Sequence, residues 1–210
     1  MSDHHDAGQE HDPGPRVGLS PFAARSRVLA ALLVEKGVLT QDEIRRQVAA
    51  TERRSPETGA RIVARAWVDP RFAALLREDF AAAVAQVGVD ASGLVQFEAL
   101  FNTETVHNVV VCTLCSCYPR AIIGNPPDWY KSTAYRSRTV REPRAVLAEF
   151  GLHLPPEVTV RVHDSTADLR YLVVPRRPSG SEGLSEEELA ALVSRDCLIG
   201  VAVAASPVAA

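Results

Sequence analysis

The sequence predicts an α+β protein, a helical N-terminal arm followed by a mixed domain. Three observations predict it. Helix caps and helical apolar spacing dominate the first 88 residues, short β-branched or aromatic runs begin only past Gly88, and helical signals return between and after those runs. With 210 residues, 46% of them hydrophobic, the chain can build one full core and an extension.

Residues 1 to 18, "MSDHHDAGQEHDPGP" and its continuation, are polar and broken by Pro and Gly, which predicts a disordered tail. The arm, residues 19–88, follows. From Pro21, Val28, Leu29, Leu32 and Leu33 share one helical face, and Gly37 supplies a left-handed stop. "TQDE" is a capping box, Thr40 with Glu43, opening a helix through Ile44 and Val48. Ser55-Pro56 starts a third helix, through Val63 to Trp67, and Asp69-Pro70 restarts helix as far as Gly88.

Residues 89–205 form the second region. "LVQFEALF" and "HNVVV" read as strands, and "EVTVRVHD" alternates at Val158, Val160 and Val162. "LRYLVVP" is expected to return antiparallel beside it across Ser165 to Asp168. Pro143 to Phe150, closed by Gly151, reads as a helix; Ser185 with Glu188 caps another before "ELAALVS". The apolar "CLIGVAV" is expected to be a last strand.

A formal net charge of -3 gives no global attraction to nucleic acid or an acidic membrane. No apolar run approaches a membrane span of about 20 residues, and the N-terminus lacks the basic and apolar regions of a signal peptide, so the expected location is the cytoplasm.

Chemistry concentrates in "VVVCTLCSCYPR", where three of four cysteines, Cys112, Cys115 and Cys117, fall within six positions. They are too close to staple distant segments as disulfides. A zinc site or an iron–sulfur cluster needs a fourth ligand, for which the candidates are His107 and remote Cys197. A thioredoxin-like dithiol leaves Cys117 idle. A further solution is a loop that wraps a metal and lends backbone nitrogens of Ser116 and Cys117 beside the sulfurs; ionising an amide demands a strongly acidic trivalent ion.

"VCTLCSCYP", with "RIVARAWVDPRF", "PPDWYKSTAYRSRTVREPRAVLAEFG" and "SRDCLIGVAV", resembles the nitrile hydratase α subunit and its relative, the thiocyanate hydrolase γ subunit, over nearly the whole chain. The resemblance implies a layered α/β/β/α metal-binding domain and Co(III), one per chain. Thr113 marks the cobalt type, whereas Fe(III) forms carry serine there. The implied ligands are the sulfurs of Cys112, Cys115 and Cys117 and the amide nitrogens of Ser116 and Cys117, with Cys115 as sulfinic and Cys117 as sulfenic acid. It also implies a β-type partner subunit completing the active site, an activator or metallochaperone, and a nitrile or thiocyanate as small-molecule substrate.

Five negative charges on a trivalent ion leave such a site at minus two, which burial makes costly without cations. Residues 120–144 hold six cations against two anions. Gln86, in "AAVAQVG", matches a glutamine near the metal in the family and is the expected catalytic partner of Cys117. Tyr118 and Arg120 are expected to line the substrate pocket. Arg120 departs from nitrile hydratases, which carry tryptophan there, and follows thiocyanate hydrolase. The expected function is therefore nitrile hydration, with thiocyanate hydrolysis second and a zinc-stapled, non-catalytic interaction subunit third.

Overall fold

The computed structural model describes residues 21–52, 54–91, 93, 95–115 and 117–207; the tail expected over residues 1 to 18 lies outside them. Two units are distinguished, one ending at Val48 and one beginning at Ala49. In the first, α1 (Pro21–Glu35) buries none of its residues: Phe22, Val28, Leu29 and Leu32 are all exposed. The capping box forms before α2 (Gln41–Glu52). Thr40 N–H donates to the Glu43 carboxylate at 2.7 Å and Glu43 N–H donates to Thr40 Oγ1 at 3.2 Å.

In the second unit, Ser55 and Pro56 open α3 (Pro56–Val68), whose buried face includes Ile62, Val63 and Ala66. Asp69 caps α4 (Pro70–Glu78) by accepting from the N–H groups of Arg71 and Phe72. The single helix expected to run to Gly88 is broken at Asp79. That residue is extended at φ -142, and its carboxylate accepts from Ala82 N–H to begin a new helix, α5 (Phe80–Ala85). An Asp satisfies the orphan amides of a first turn better than it propagates a helix.

Strands β1 (Gln96–Phe101), β2 (Val106–Val111), β3 (Thr159–Asp164) and β4 (Leu169–Val174) fall where the apolar runs predict. Their pairing does not. β3 and β4 form no hairpin; β3 pairs parallel with β2, Val111 opposite Asp164, and β4 pairs parallel with β1, Phe101 opposite Val174. Residues 165–168 step between the two pairs: Ser165 N–H still donates to Val111 in one, and Asp168 already accepts from Gln96 N–H in the other. The nearly unbroken burial of β2, from His107 to Val111, suits a parallel strand covered on both faces.

The expectation missed α6 (Arg120–Ile123), α7 (Asp128–Lys131) and α8 (Thr133–Arg141), the last capped by Ser132; α9 (Pro143–Glu149) is as predicted. α4 and α5 lie against β1, α8 against β2, α9 against β3, and β2 against β4, so paired strands sit between helical layers. After α10 (Glu186–Ala191), opened by the Ser185–Glu188 capping box, the run expected to be a strand is α11 (Arg195–Ile199). Ser194 caps it by accepting from Cys197 N–H, and Gly200 ends it at φ +87. A Cβ on Gly200 would come within 2.0 Å of the Asn108 carbonyl oxygen, so only glycine allows α11 to end against β2. Short buried apolar runs look alike as helix or strand.

Candidate metal centre

β2 ends with Val109, Val110 and Val111 fully buried, and this anchors the loop that follows. Cys112, the next residue, is 1% exposed, Cys117 is half-buried and Cys115 is exposed. Their sulfurs converge: Cys112 Sγ lies 3.3 Å from Cys115 Sγ, which lies 2.9 Å from Cys117 Sγ, and all three fall within 4.8 Å of one another. Ser116, expected to lend an amide, lies outside the described residues.

Distant residues hold this loop. Asp164, at the end of β3, accepts from Thr113 N–H at 2.9 Å and from the Thr113 hydroxyl. Arg136, on α8, donates through Nε to the Cys112 carbonyl at 3.0 Å and through Nη2 to the Thr113 carbonyl at 2.8 Å. Tyr130 donates to the Cys117 carbonyl at 2.8 Å, and Tyr135 to that of Val110 at 2.7 Å. The tyrosines are fixed in turn by edge contacts, Tyr130 with Tyr118 at 4.8 Å and Tyr135 with Trp129 at 4.9 Å. Sequence reasoning missed Asp164, Tyr130 and Tyr135 as supports and counted Arg136 only as one charge of a basic run. The one available signal for Asp164 was its position at the end of an alternating strand, which says nothing about a partner 51 residues away.

Burial first, then the hydrogen bond from Cys115 and the charge of Cys112, push the Cys117 thiol up to about 12, with the Arg170 charge opposing. Three thiols packed this closely resist ionising together unless a cation neutralises them, and a soft or acidic metal ion is the cation such a donor set suits. The described residues bring no fourth His, Cys or carboxylate to the cluster. His107 is buried at the other end of β2, its Nε2 2.7 Å from the Gly200 carbonyl and its Nδ1 3.2 Å from Asn102. Cys197 lies in α11 against Ser194 and the Val203 carbonyl. The described residues therefore fit a metal held by three sulfurs better than a four-side-chain zinc site.

Tyr118 and Arg120 come together beside the loop. They line a cavity of about 390 Å³ with Arg54, Asp90 and Arg170 and with apolar walls from Ala91, Val95, Phe97 and Ala121. The Tyr118 hydroxyl is buried with no hydrogen-bond partner among the described residues. Burial pushes its phenol above the ordinary range, so it remains a donor. Gln86 stands exposed at the end of α5 and is not among the residues lining this cavity. The basic segment is divided among tasks: Lys131 pairs with Asp128, Arg138 with Glu142 and Glu149, and Arg144 donates to the carbonyls of Leu154, Pro155, Pro156 and Val158. Arg136 alone among these touches the cysteine loop.

Parallel strand pairs between helical layers, with a sulfur-rich loop at the exit of a buried strand, define a metallo-subunit type of domain. The chain belongs to the nitrile hydratase α-chain family: the model of that family, "Nitrile hydratase, alpha chain", matches residues 20–202. It is 51% identical over 187 residues to the low-molecular-weight cobalt-containing nitrile hydratase subunit alpha of Rhodococcus rhodochrous, covering 89% of this chain and 90% of that one. It is 44% identical over 203 residues to the thiocyanate hydrolase subunit gamma of Thiobacillus thioparus, covering 91% and 84%. Among solved structures, a double mutant of the Fe-type nitrile hydratase from Comamonas testosteroni Ni1 superposes with a TM-score of 0.81 at 42% identity, covering 91% of this chain and 98% of that one. No described helix is long and apolar enough to cross a membrane.

Proposed function

We propose that the chain is the metal-bearing subunit of a cobalt nitrile hydratase, adding water across a C≡N bond to give the amide. The observation that carries this is the convergence of the Cys112, Cys115 and Cys117 sulfurs on one clamped loop. Cobalt would be held by those sulfurs and by the amides of Ser116 and Cys117. Bound there, the trivalent ion supplies Lewis acidity without a change of oxidation state. Asp164 and Arg136 fix the loop on which the donors sit, and Tyr130 fixes the Cys117 carbonyl. Cys117, as a sulfenate, would carry the oxygen that meets the nitrile carbon, with Cys115 as sulfinate beside it. Over the full reaction one water is consumed: the sulfenate oxygen passes to the nitrile carbon as its S–O bond breaks, the water's oxygen restores the sulfenate on Cys117, and both water hydrogens end on the amide nitrogen. Tyr118 and Arg120 would orient the substrate from the cavity, and Gln86 would hydrogen-bond the reacting group from outside it.

A β-type partner subunit would complete the site. Support comes from the names of the relatives, which are subunits, from the exposure of Cys115 and Leu114 on the loop, and from the apolar side chains that α1 leaves uncovered. Thiocyanate hydrolysis is the second reading, favoured by Arg120 in the cavity. Both are tested with the complex co-expressed with its partner and cobalt, assayed on benzonitrile for amide and on thiocyanate for carbonyl sulfide. About one cobalt per chain, two oxygens on Cys115 and one on Cys117 are expected. Stoichiometric zinc with plain thiols would sink the reading, stoichiometric iron would assign the iron type, and thiocyanate turnover without amide formation would select the second.

A further inference from the structure

The cavity beside the cysteine loop is lined by more cationic than anionic residues. Three arginines, Arg54, Arg120 and Arg170, line it with one acidic residue, Asp90. Tyr118, directly after Cys117 in the chain, lines the same cavity.

Each arginine is placed by the fold. The Arg54 backbone lies against Gly124, where φ is +73 and a Cβ would come within 2.5 Å of the Arg54 carbonyl oxygen; this seats Arg54 beside α6, which Arg120 opens. Arg170, on β4, donates Nη1 to the carbonyls of Thr166 and Leu169. A guanidinium has five N–H donors, so this tether leaves capacity for a ligand.

We propose that this cavity binds a carboxylate carried by the nitrile substrate, making the chain selective for organic cyano-acids; the substrate class rests on the nitrile reading above. Size separates this from a thiocyanate site. A three-atom ion would occupy a small part of about 390 Å³, whereas an aryl or alkyl acid can lay its carbon skeleton along Phe97 and its carboxylate into the guanidinium forks. Arginine is the residue type whose planar fork matches a carboxylate in two parallel hydrogen bonds.

The test uses the cobalt-loaded complex and two isosteric nitriles, para-cyanobenzoate and para-cyanobenzamide. At low ionic strength kcat/KM for the acid should exceed that for the amide by about tenfold, carried by KM, and the ratio should fall toward one as salt rises. In the Arg54→Gln/Arg120→Gln double variant the ratio should collapse by about tenfold at low salt. Equal use of both nitriles, or preference for the amide, overturns the proposal while leaving nitrile hydration standing. If no nitrile is hydrated, the functional reading fails and the cavity is judged by calorimetry with benzoate. Binding by the unmodified complex that weakens about tenfold in the double variant supports the carboxylate site; equal or absent binding overturns it.

Discussion

At the start of β2, His107 and Asn108 are buried and every polar side-chain atom has a partner; at its end, three thiols crowd one another. At the first end Asn102 is the hub. Its Oδ1 accepts from both nitrogens of Asn108, and its Nδ2 donates to His107 Nδ1, which leaves His107 Nε2–H to donate to the Gly200 carbonyl. His163 completes the chain by donating Nε2–H to Asn108 Oδ1 at 2.9 Å. That network closes on itself. At the other end, Arg136 and Tyr130 donate to carbonyls of the loop and Asp164 accepts from the Thr113 N–H and hydroxyl, while the sulfurs lie against each other. A buried polar group whose needs are met inside the fold reads as structure; donors fixed in place around a shared point read as a ligand site.

The sharpest break in this comparison should come from the exposed thiol. Cys115→Ala removes one of three sulfurs and little packing, so bound cobalt in the reconstituted complex should drop from about one per chain to below about a tenth, with hydration falling to background. Unfolding of the metal-free chain should shift by less than about 0.5 kcal/mol, because Cys115 is exposed. Retained cobalt, measured by elemental analysis, would remove Cys115 from the ligand set.

Next in size is the clamp. Asp164→Ala frees Thr113 without touching a sulfur, and supports of this kind are worth roughly 10- to 100-fold in metal retention or activity. A chelator competition and kcat/KM on benzonitrile read it. Wild-type values in both would mean that the loop holds its shape without β3.

How much of this was legible in the sequence differs along the chain for physical reasons. Caps are local, so Thr40, Ser55, Asp69 and Ser185 located their helices correctly. The cysteine spacing was local too, and the sulfurs do converge. Pairing is not local: nothing in "EVTVRVHD" or "LRYLVVP" says that each strand joins a partner more than 50 residues earlier, in parallel. Asp164 and Arg170 were invisible as neighbours of the loop and the cavity for the same reason. The misread strand at Cys197 to Val203 had a local signal, Ser194 before and Gly200 after, which outweighs β-branched composition when the run is short.

The closed network should respond in stability and not in metal. Asn102→Ala strands two donors on Asn108 and deprives His107 of its partner, and unsatisfied buried polar groups cost about 1–3 kcal/mol. Denaturant unfolding of the metal-free chain should show that loss, while cobalt per chain in the complex stays at its wild-type value. Loss of cobalt at wild-type stability would join the two ends of β2 into one functional unit and erase the contrast.

The last expected effect is a pH dependence of the same end. Burial lowers the pKa of His107, opposed by its hydrogen bond to Gly200, and burial together with Arg161 lowers that of His163. Both rings are therefore kept neutral in the folded chain, where Nδ1 of His107 must accept from Asn102. The unfolded chain takes up protons near pH 6.5, the folded chain only at lower pH, so this stabilisation is complete above about pH 6.5 and is lost as pH falls through the folded values. Each proton bound in excess by the unfolded state steepens the fall by about 1.4 kcal/mol per pH unit, and two histidines set the upper limit to about twice that. Unfolding of the metal-free chain, measured between about pH 7 and 5, stays above the range where most carboxylates titrate. His163→Gln, which keeps a donor for Asn108 but cannot ionise, should make the decline shallower. A slope near zero in the unmodified chain, or one that His163→Gln leaves unchanged while Asn102→Ala removes it, would confine the titrating burden to His107 or abolish it.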